Sequence, residues 1–195
     1  MLLAGFVLML DCAKGQDSAE PTFMKQELPG GGQFVPHPRN PKEIYYLSSI
    51  RTLRGGSNPQ GQPGLYHSSD DGGTWHLLCV SFDFRALFVH PVSGKLYAII
   101  HDRFLHEGQD GYLATGIIDR AITSTDGRKW SEIRGKRTDA ASVSRIFQDP
   151  DHPARVCLEV WTVRTYVLQS VDDAYSDWKW IKQWDWDAAH PKEGK

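Results

Sequence analysis

The sequence predicts an all-β protein made of three consecutive units, each with four short antiparallel strands. Short apolar runs recur between clusters of Gly, Pro, Asn and Asp. Outside the first dozen residues no window repeats apolar residues at helical spacing. Pro38, Pro91 and Pro150 each close one apolar run, at gaps of 53 and 59 residues. Asp70, Asp126 and Asp172 each begin a later turn, at gaps of 56 and 46 residues. Two anchors keeping the same order in every unit are the mark of an internal repeat.

The elements follow from that frame. Residues 1–15 form an apolar leader in which Leu2 to Leu10 precede Asp11 and Cys12. The run has the length of a secretory h-region and is too short for an ordinary membrane span. It carries no Lys or Arg at its start, and a strand or a mis-assigned start codon are its other readings. Cys12 invites lipid attachment, yet Asp11 stands where such sites take a small residue. Export to a secreted, periplasmic or cell-envelope location is the expectation, with no transmembrane span. Residues 16–33 are a polar tail followed by a strand, since Thr22 to Leu28 alternates in polarity and Pro29-Gly30-Gly31-Gly32 ends it.

Unit one spans 34–86, unit two 87–145 and unit three 146–187, with a tail over 188–195. Each opens on a strand A ending at its proline: Phe34 to Pro38, Leu87 to Pro91, Ile146 to Pro150. Strand B follows at Ile44 to Leu47, Lys95 to Ile100 and Val156 to Val160. Strand C runs into the Asp turn, and strand D leaves it. The B–C connections vary most, with loops expected over about 51–63 and 101–118. Four-stranded sheets repeated at this period are what propeller blades look like in sequence.

Composition narrows the function classes. Lys and Arg number 22 against 24 Asp and Glu, and a net charge of −2 offers no field for nucleic acid. Cys79 and Cys157 sit in apolar runs and read as small buried hydrophobes, a disulfide between them being the lesser reading. No spacing of Cys or His indicates a metal site, and no cofactor is expected. Seven Trp are many for 195 residues. Of the late cluster, Trp178 and Trp180 alternate along the last strand and suit core packing, while Trp184 and Trp186 leave a sugar-stacking platform open.

The stretch Ser68-Ser69-Asp70-Asp71-Gly72-Gly73-Thr74-Trp75 resembles the Asp-box, or BNR repeat, of sialidase-like β-propellers at every fixed position. Ser124-Thr125-Asp126-Gly127-Arg128-Lys129-Trp130 resembles a shorter form, and Ser170, Asp172 and Trp178 are a weaker third copy. The resemblance covers about residues 34–184. In that family the boxes are structural and lie away from the ligand. It therefore implies that Ser68, Asp70, Gly72, Thr74 and Trp75 hold a turn, as do Ser124, Asp126, Gly127 and Trp130. The same holds for Ser170, Asp172 and Trp178.

The resemblance also places ligands on the face built by the B–C and D–A loops. There the candidates for binding are Arg51, Arg54, His101, Asp102, Arg103 and Arg137. Were the protein an enzyme, Arg51, Asp102, Arg103, Glu107 and Tyr112 would be its candidates for catalysis. A sialidase binds its substrate carboxylate with clustered arginines and attacks with a Tyr. The family's Arg-Ile-Pro motif is absent, Arg145-Ile146-Phe147 is no match, and the chain is about half the length such an enzyme uses. The expectation is an exported module binding glycan or protein through the B–C loops. A glycoside hydrolase completed by further blades is the alternative, and a structural or assembly-factor propeller the third reading. Three blades are too few to close a ring. A second copy in a homo-oligomer, a longer chain, or another packing are the ways out.

Overall fold

The computed structural model describes residues 9–11, 22–48, 62–107, 113–133, 142–162, 164–170 and 178–191. The fold is all-β, with three antiparallel sheets and one short helix among the described residues. Four strands of each sheet follow the A, B, C, D order. Sheet I contains β3 (Gln33–Pro36), β4 (Ile44–Ser48), β5 (Gly64–Ser68) and β6 (Thr74–Cys79). Sheet II contains β7 (Asp83–Val89), β8 (Leu96–Glu107), β9 (Leu113–Ser124) and β10 (Lys129–Glu132). Sheet III contains β11 (Ser142–Gln148), β12 (Val156–Trp161), β13 (Thr165–Ser170) and β14 (Trp178–Lys182). Each is a simple meander, as short connections between antiparallel neighbours require. The architecture is compatible with propeller blades.

Two further strands sit at the sheet edges. β1 (Met9–Asp11), from the apolar leader, pairs with β10 in sheet II. β2 (Thr22–Met24) pairs with β6 in sheet I. Both cover the outer D strand, whose unpaired N–H and C=O groups would otherwise face solvent. The alternating run expected as one strand over Thr22 to Leu28 stops at Met24. A 3-10 turn, Lys25–Glu27, follows because the Glu27 carboxylate accepts the Met24 N–H at 2.6 Å, turning the chain.

β7 and β11 start at Asp83 and Ser142, upstream of the unit boundaries expected at 87 and 146. Each carries a register shift near its start, between Phe84 and Ala86 and between Val143 and Arg145. The extra residue spaces buried Phe84 and Leu87, and buried Val143 and Ile146, three apart. A period-2 pattern is broken there, which is what a bulge does to a strand. β8 and β9 differ more. Of the stretch expected as a loop over 101–118, the part up to Glu107 belongs to β8 and the part from Leu113 to β9.

The chain forms two compact units, Met1–His101 with Ile122–Glu132, and Asp102–Ala121 with Ile133–Lys195. In the first, sheets I and II share a core. Tyr45, Leu47, Leu65 and Cys79 of sheet I meet Phe84, Leu87, Val89, Leu96, Ala98, Ile100, Ile122 and Trp130 of sheet II. The other face of sheet I buries Tyr46, Tyr66 and Trp75 beneath Leu28, with Phe23 packed alongside. The Tyr46 hydroxyl donates to the Pro29 carbonyl and accepts the Gly32 N–H. A Cβ at Gly32 would fall on the Tyr46 ring, so glycine is required there.

In the second unit, the last strand ends at Lys182 and the chain continues as α1 (Gln183–Ala189). Gln183 Nε2 donates to Asp187 Oδ1 at 2.9 Å, one turn on, which supports the short helix. Trp186 is buried from α1 against Phe147, Cys157, Val167 and Ile181. Trp178 is buried, Trp180 meets Tyr166 edge-on at 5.5 Å, and Trp184 stays exposed. The late tryptophans therefore make no shared platform: alternation in the sequence hid a change from strand to helix.

Cys79 corrects a second expectation. It is buried but disulfide-bonded, while Cys157 is a free buried thiol, so the two are not paired with each other. Apolar flanks report burial and carry no information on sulfur-to-sulfur distance, which decides pairing. Alkylation in denaturant without reductant is expected to label Cys157 and leave Cys79 unlabelled. Labelling of both before reduction would show that the Cys79 bond does not form.

Candidate functional site

The best-defined polar constellations are the turns between strands C and D. In sheet I, Asp70 Oδ1 accepts the Thr74 N–H at 2.8 Å and the Ser68 hydroxyl at 2.7 Å. Asp70 Oδ2 accepts the Thr74 hydroxyl at 2.7 Å. Ser68 Oγ in turn accepts the Gly72 N–H at 2.9 Å. The indole N–H of Trp75 donates to the Gly72 carbonyl at 3.0 Å. Positive φ at Asp71 and Gly72 reverses the chain.

Sheet II repeats the arrangement in one residue fewer. Asp126 Oδ1 accepts the N–H groups of Arg128 and Lys129, each at 2.8 Å, and the Ser124 hydroxyl at 3.0 Å. Ser124 Oγ accepts the Gly127 N–H at 2.9 Å, and Trp130 Nε1 donates to the Gly127 carbonyl at 3.0 Å. Gly127 has φ 72, and a Cβ there would lie 2.6 Å from Leu78 Cδ1. In sheet III, Ser170 and Trp178 are buried and face each other across β13 and β14, while Asp172 lies outside the described residues.

These aspartates are poor acid–base catalysts. The Thr74 amide, then the Thr74 and Ser68 hydroxyls, hold the Asp70 carboxyl down at about 2. Burial opposes ionisation of Asp126, but the Lys129 and Arg128 amides, Ser124 and the Arg128 charge together outweigh it, and its pKa is lowered. A proton carrier at neutral pH needs the opposite shift.

A second set of turns joins strands A and B; the register prolines mark their place, but not the side-chain acceptor that closes each. His37, His90 and Asp149 occupy one position, directly before the three register prolines. His37 Nδ1 accepts the N–H groups of Arg39 at 3.2 Å and Asn40 at 3.1 Å. His90 Nδ1 accepts the Ser93 N–H at 3.2 Å. Asp149 Oδ1 accepts the N–H groups of Asp151 at 2.9 Å and His152 at 3.1 Å, and its Oδ2 accepts Gln169 Nε2 at 2.9 Å. An imidazole nitrogen thus replaces a carboxylate oxygen as acceptor at an Asx-type turn. The signal that could have found it is the dipeptide His-Pro or Asp-Pro recurring with the prolines.

Of the expected binding residues, Arg51, Arg54 and Arg137 lie outside the described residues, as does Tyr112, a candidate for catalysis. Asp102, Arg103 and Glu107 have their backbone in β8, beyond His101, which pairs with Asp83 of β7. Among the tyrosines described, burial first, and then Glu43, pushes Tyr45 up to about 12. Burial and Tyr46 do the same to Tyr66, against a bond at Gln62. Neither phenol is a ready nucleophile. His67, beside Tyr45, is lowered by burial against the opposing pull of Glu43. At 3.9 Å, His67 Nε2 and Glu43 Oε2 make a weak ion pair and no hydrogen bond, so burial prevails. Among the described residues no group of three His, Cys, Asp or Glu side chains is placed to hold a metal ion, and no helix is long and apolar enough to cross a membrane. Comparison with known protein families, curated proteins and solved structures returns no match.

Two outcomes follow from the turn geometry. Asp70 is depressed in the folded state, so its contribution to stability is complete above the ordinary carboxyl value of 3.8 and is lost as pH falls through about 2. The acid limb of a urea-midpoint profile should therefore flatten in D70N between about pH 4 and pH 2, and an unchanged limb would refute the assignment. At the A–B turn, H90A removes a fully buried ring together with the acceptor of the Ser93 N–H and should cost about 1–3 kcal/mol. H90N, with a carbonyl oxygen to offer, should lose clearly less in the same denaturation. Equal losses would show that the ring's volume, rather than its Nδ1, matters.

Proposed function

We propose that this protein is an exported Asp-box propeller-type module that binds glycan or protein through its B–C loops. The observation that carries the reading is the state of the repeated aspartates. Asp70 and Asp126 spend their acceptor capacity on turn amides and hydroxyls, so the repeat itself is scaffold. The B–C connections are where the copies differ in length: Arg51 and Arg54 fall in the first, and His101, Asp102 and Arg103 lie on the extended strand β8 that leads into the second. Binding residues commonly occupy variable loops on a rigid frame.

A glycan array together with a pull-down from extracellular material tests the module. A ligand lost in R51A or R103A, with the fold intact, is the expected result. Absence of any ligand for folded protein would remove the binding reading. Turnover of aryl glycosides, abolished by D102A or R103A, would instead favour the hydrolase. The mass in solution then tells a monomer from a ring completed by a second copy.

A further inference from the structure

We propose that sheet III carries a binding site for a neutral pyranose residue of a glycan, built on Trp161 with Arg145 and Glu159. The inference rests on the binding-module reading above and names its ligand class and one of its contact surfaces. Trp161 is the last residue of β12, at the B–C turn of its sheet, and is 61% exposed. No other large apolar side chain among the described residues is so open to solvent. Its direct neighbours across the sheet are Ser142 on β11 and Thr165 on β13, both small and hydroxyl-bearing. One register step along the same face, about 7 Å away, Arg145 stands opposite Glu159.

That pair is held in place. Arg145 Nη2 lies 3.3 Å from Glu159 Oε2, and the Ser144 hydroxyl donates to Glu159 Oε1 at 2.7 Å. The Arg145 guanidinium also lies over the Phe147 ring, 4.5 Å from its centroid. Side chains fixed before binding lose less entropy when a ligand arrives. An indole face carries negative quadrupole density and attracts the polarised C–H face of a sugar. Beside it, a guanidinium and a carboxylate offer donors and acceptors to adjacent hydroxyls. Arg145 and Glu159 neutralise each other, so the site offers no unpaired charge to a phosphate or a carboxylate-bearing sugar, which makes the preferred ligand neutral.

The alternative is that Trp161 awaits another packed sheet. The rest of its face argues against that. α1 already lies there, with Trp186 buried on Phe147, Cys157, Val167 and Ile181. It is pinned at its end by His190, which stacks on Trp186 at 4.0 Å and pairs with Asp151 at 3.3 Å. A helix on one half of the face leaves the half bearing Trp161 as an open ledge, suited to a small ligand more than to a flat sheet.

The test screens the full chain against neutral gluco-, manno-, galacto-, xylo- and chito-oligosaccharides and titrates the best one. W161A should weaken it at least about tenfold, as loss of a central tryptophan anchor does. W161F, which keeps an aromatic face, should retain most of the affinity, and R145M should weaken binding with the fold unchanged. Urea midpoints equal to wild type check the fold of each variant. A neutral glycan that binds W161A as well as wild type, but fails with R51A or R103A, overturns this site and leaves the module reading standing. Binding of acidic glycans alone, or of a protein alone, overturns it too. No ligand of any kind brings down both readings.

Discussion

The hydrogen bond from a tryptophan indole to a glycine carbonyl, made at 3.0 Å in sheet I and again in sheet II, ties each C–D turn to a hydrophobic core. Trp75 and Trp130 are each 1% exposed, so their N–H groups would be stranded without that carbonyl. Burial of the ring therefore depends on the turn presenting the carbonyl inward. The turn does so because Ser68 and Asp70, or Ser124 and Asp126, gather its remaining amides. Positive φ at Gly72 and Gly127 sets the direction. Truncating so buried a ring typically costs roughly 3–5 kcal/mol, which makes this joint the costliest part of the sheet to disturb.

The A–B turns solve the same problem with more latitude. An acceptor must reach back to amides two or three residues on, and imidazole or carboxylate serves equally well geometrically. The choice of His37 and His90 in two sheets and Asp149 in the third leaves the backbone path alike: in each, the N–H of that residue meets a carbonyl at the start of strand B. Both turn types close hairpins by side-chain acceptors, so the strands between them can vary in sequence without losing register. The repeat is conserved within the chain as a pattern of satisfied amides more than as a string of residues.

Strand order, the C–D turns of sheets I and II and the burial of Trp178 were legible in the sequence, because each depends on local propensity and alternation. The bulges in β7 and β11 were not, since an inserted residue looks like a lost alternation and nothing in the chain marks which residue is extra. The length of the β8–β9 hairpin was hidden for a related reason. His101, Asp102 and Arg103 read as loop by composition, yet their backbone lies in β8. Trp161 drew no notice, because a tryptophan ending an apolar run is ordinarily buried and only its position at a strand end leaves it open.

By itself the sequence determined an all-β chain of three four-stranded repeats, and it determined that Asp70 and Asp126 belong to turns. Those are local matters of propensity, period and hydrogen-bond reach. Only the tertiary structure decided that Cys79 is bonded while Cys157 is free, that Trp186 enters a core from a helix, and that the edges of sheets I and II are covered by β2 and β1. Each of these depends on which distant residues come within contact range. Chain connectivity leaves that open, and the packing of side chains settles it.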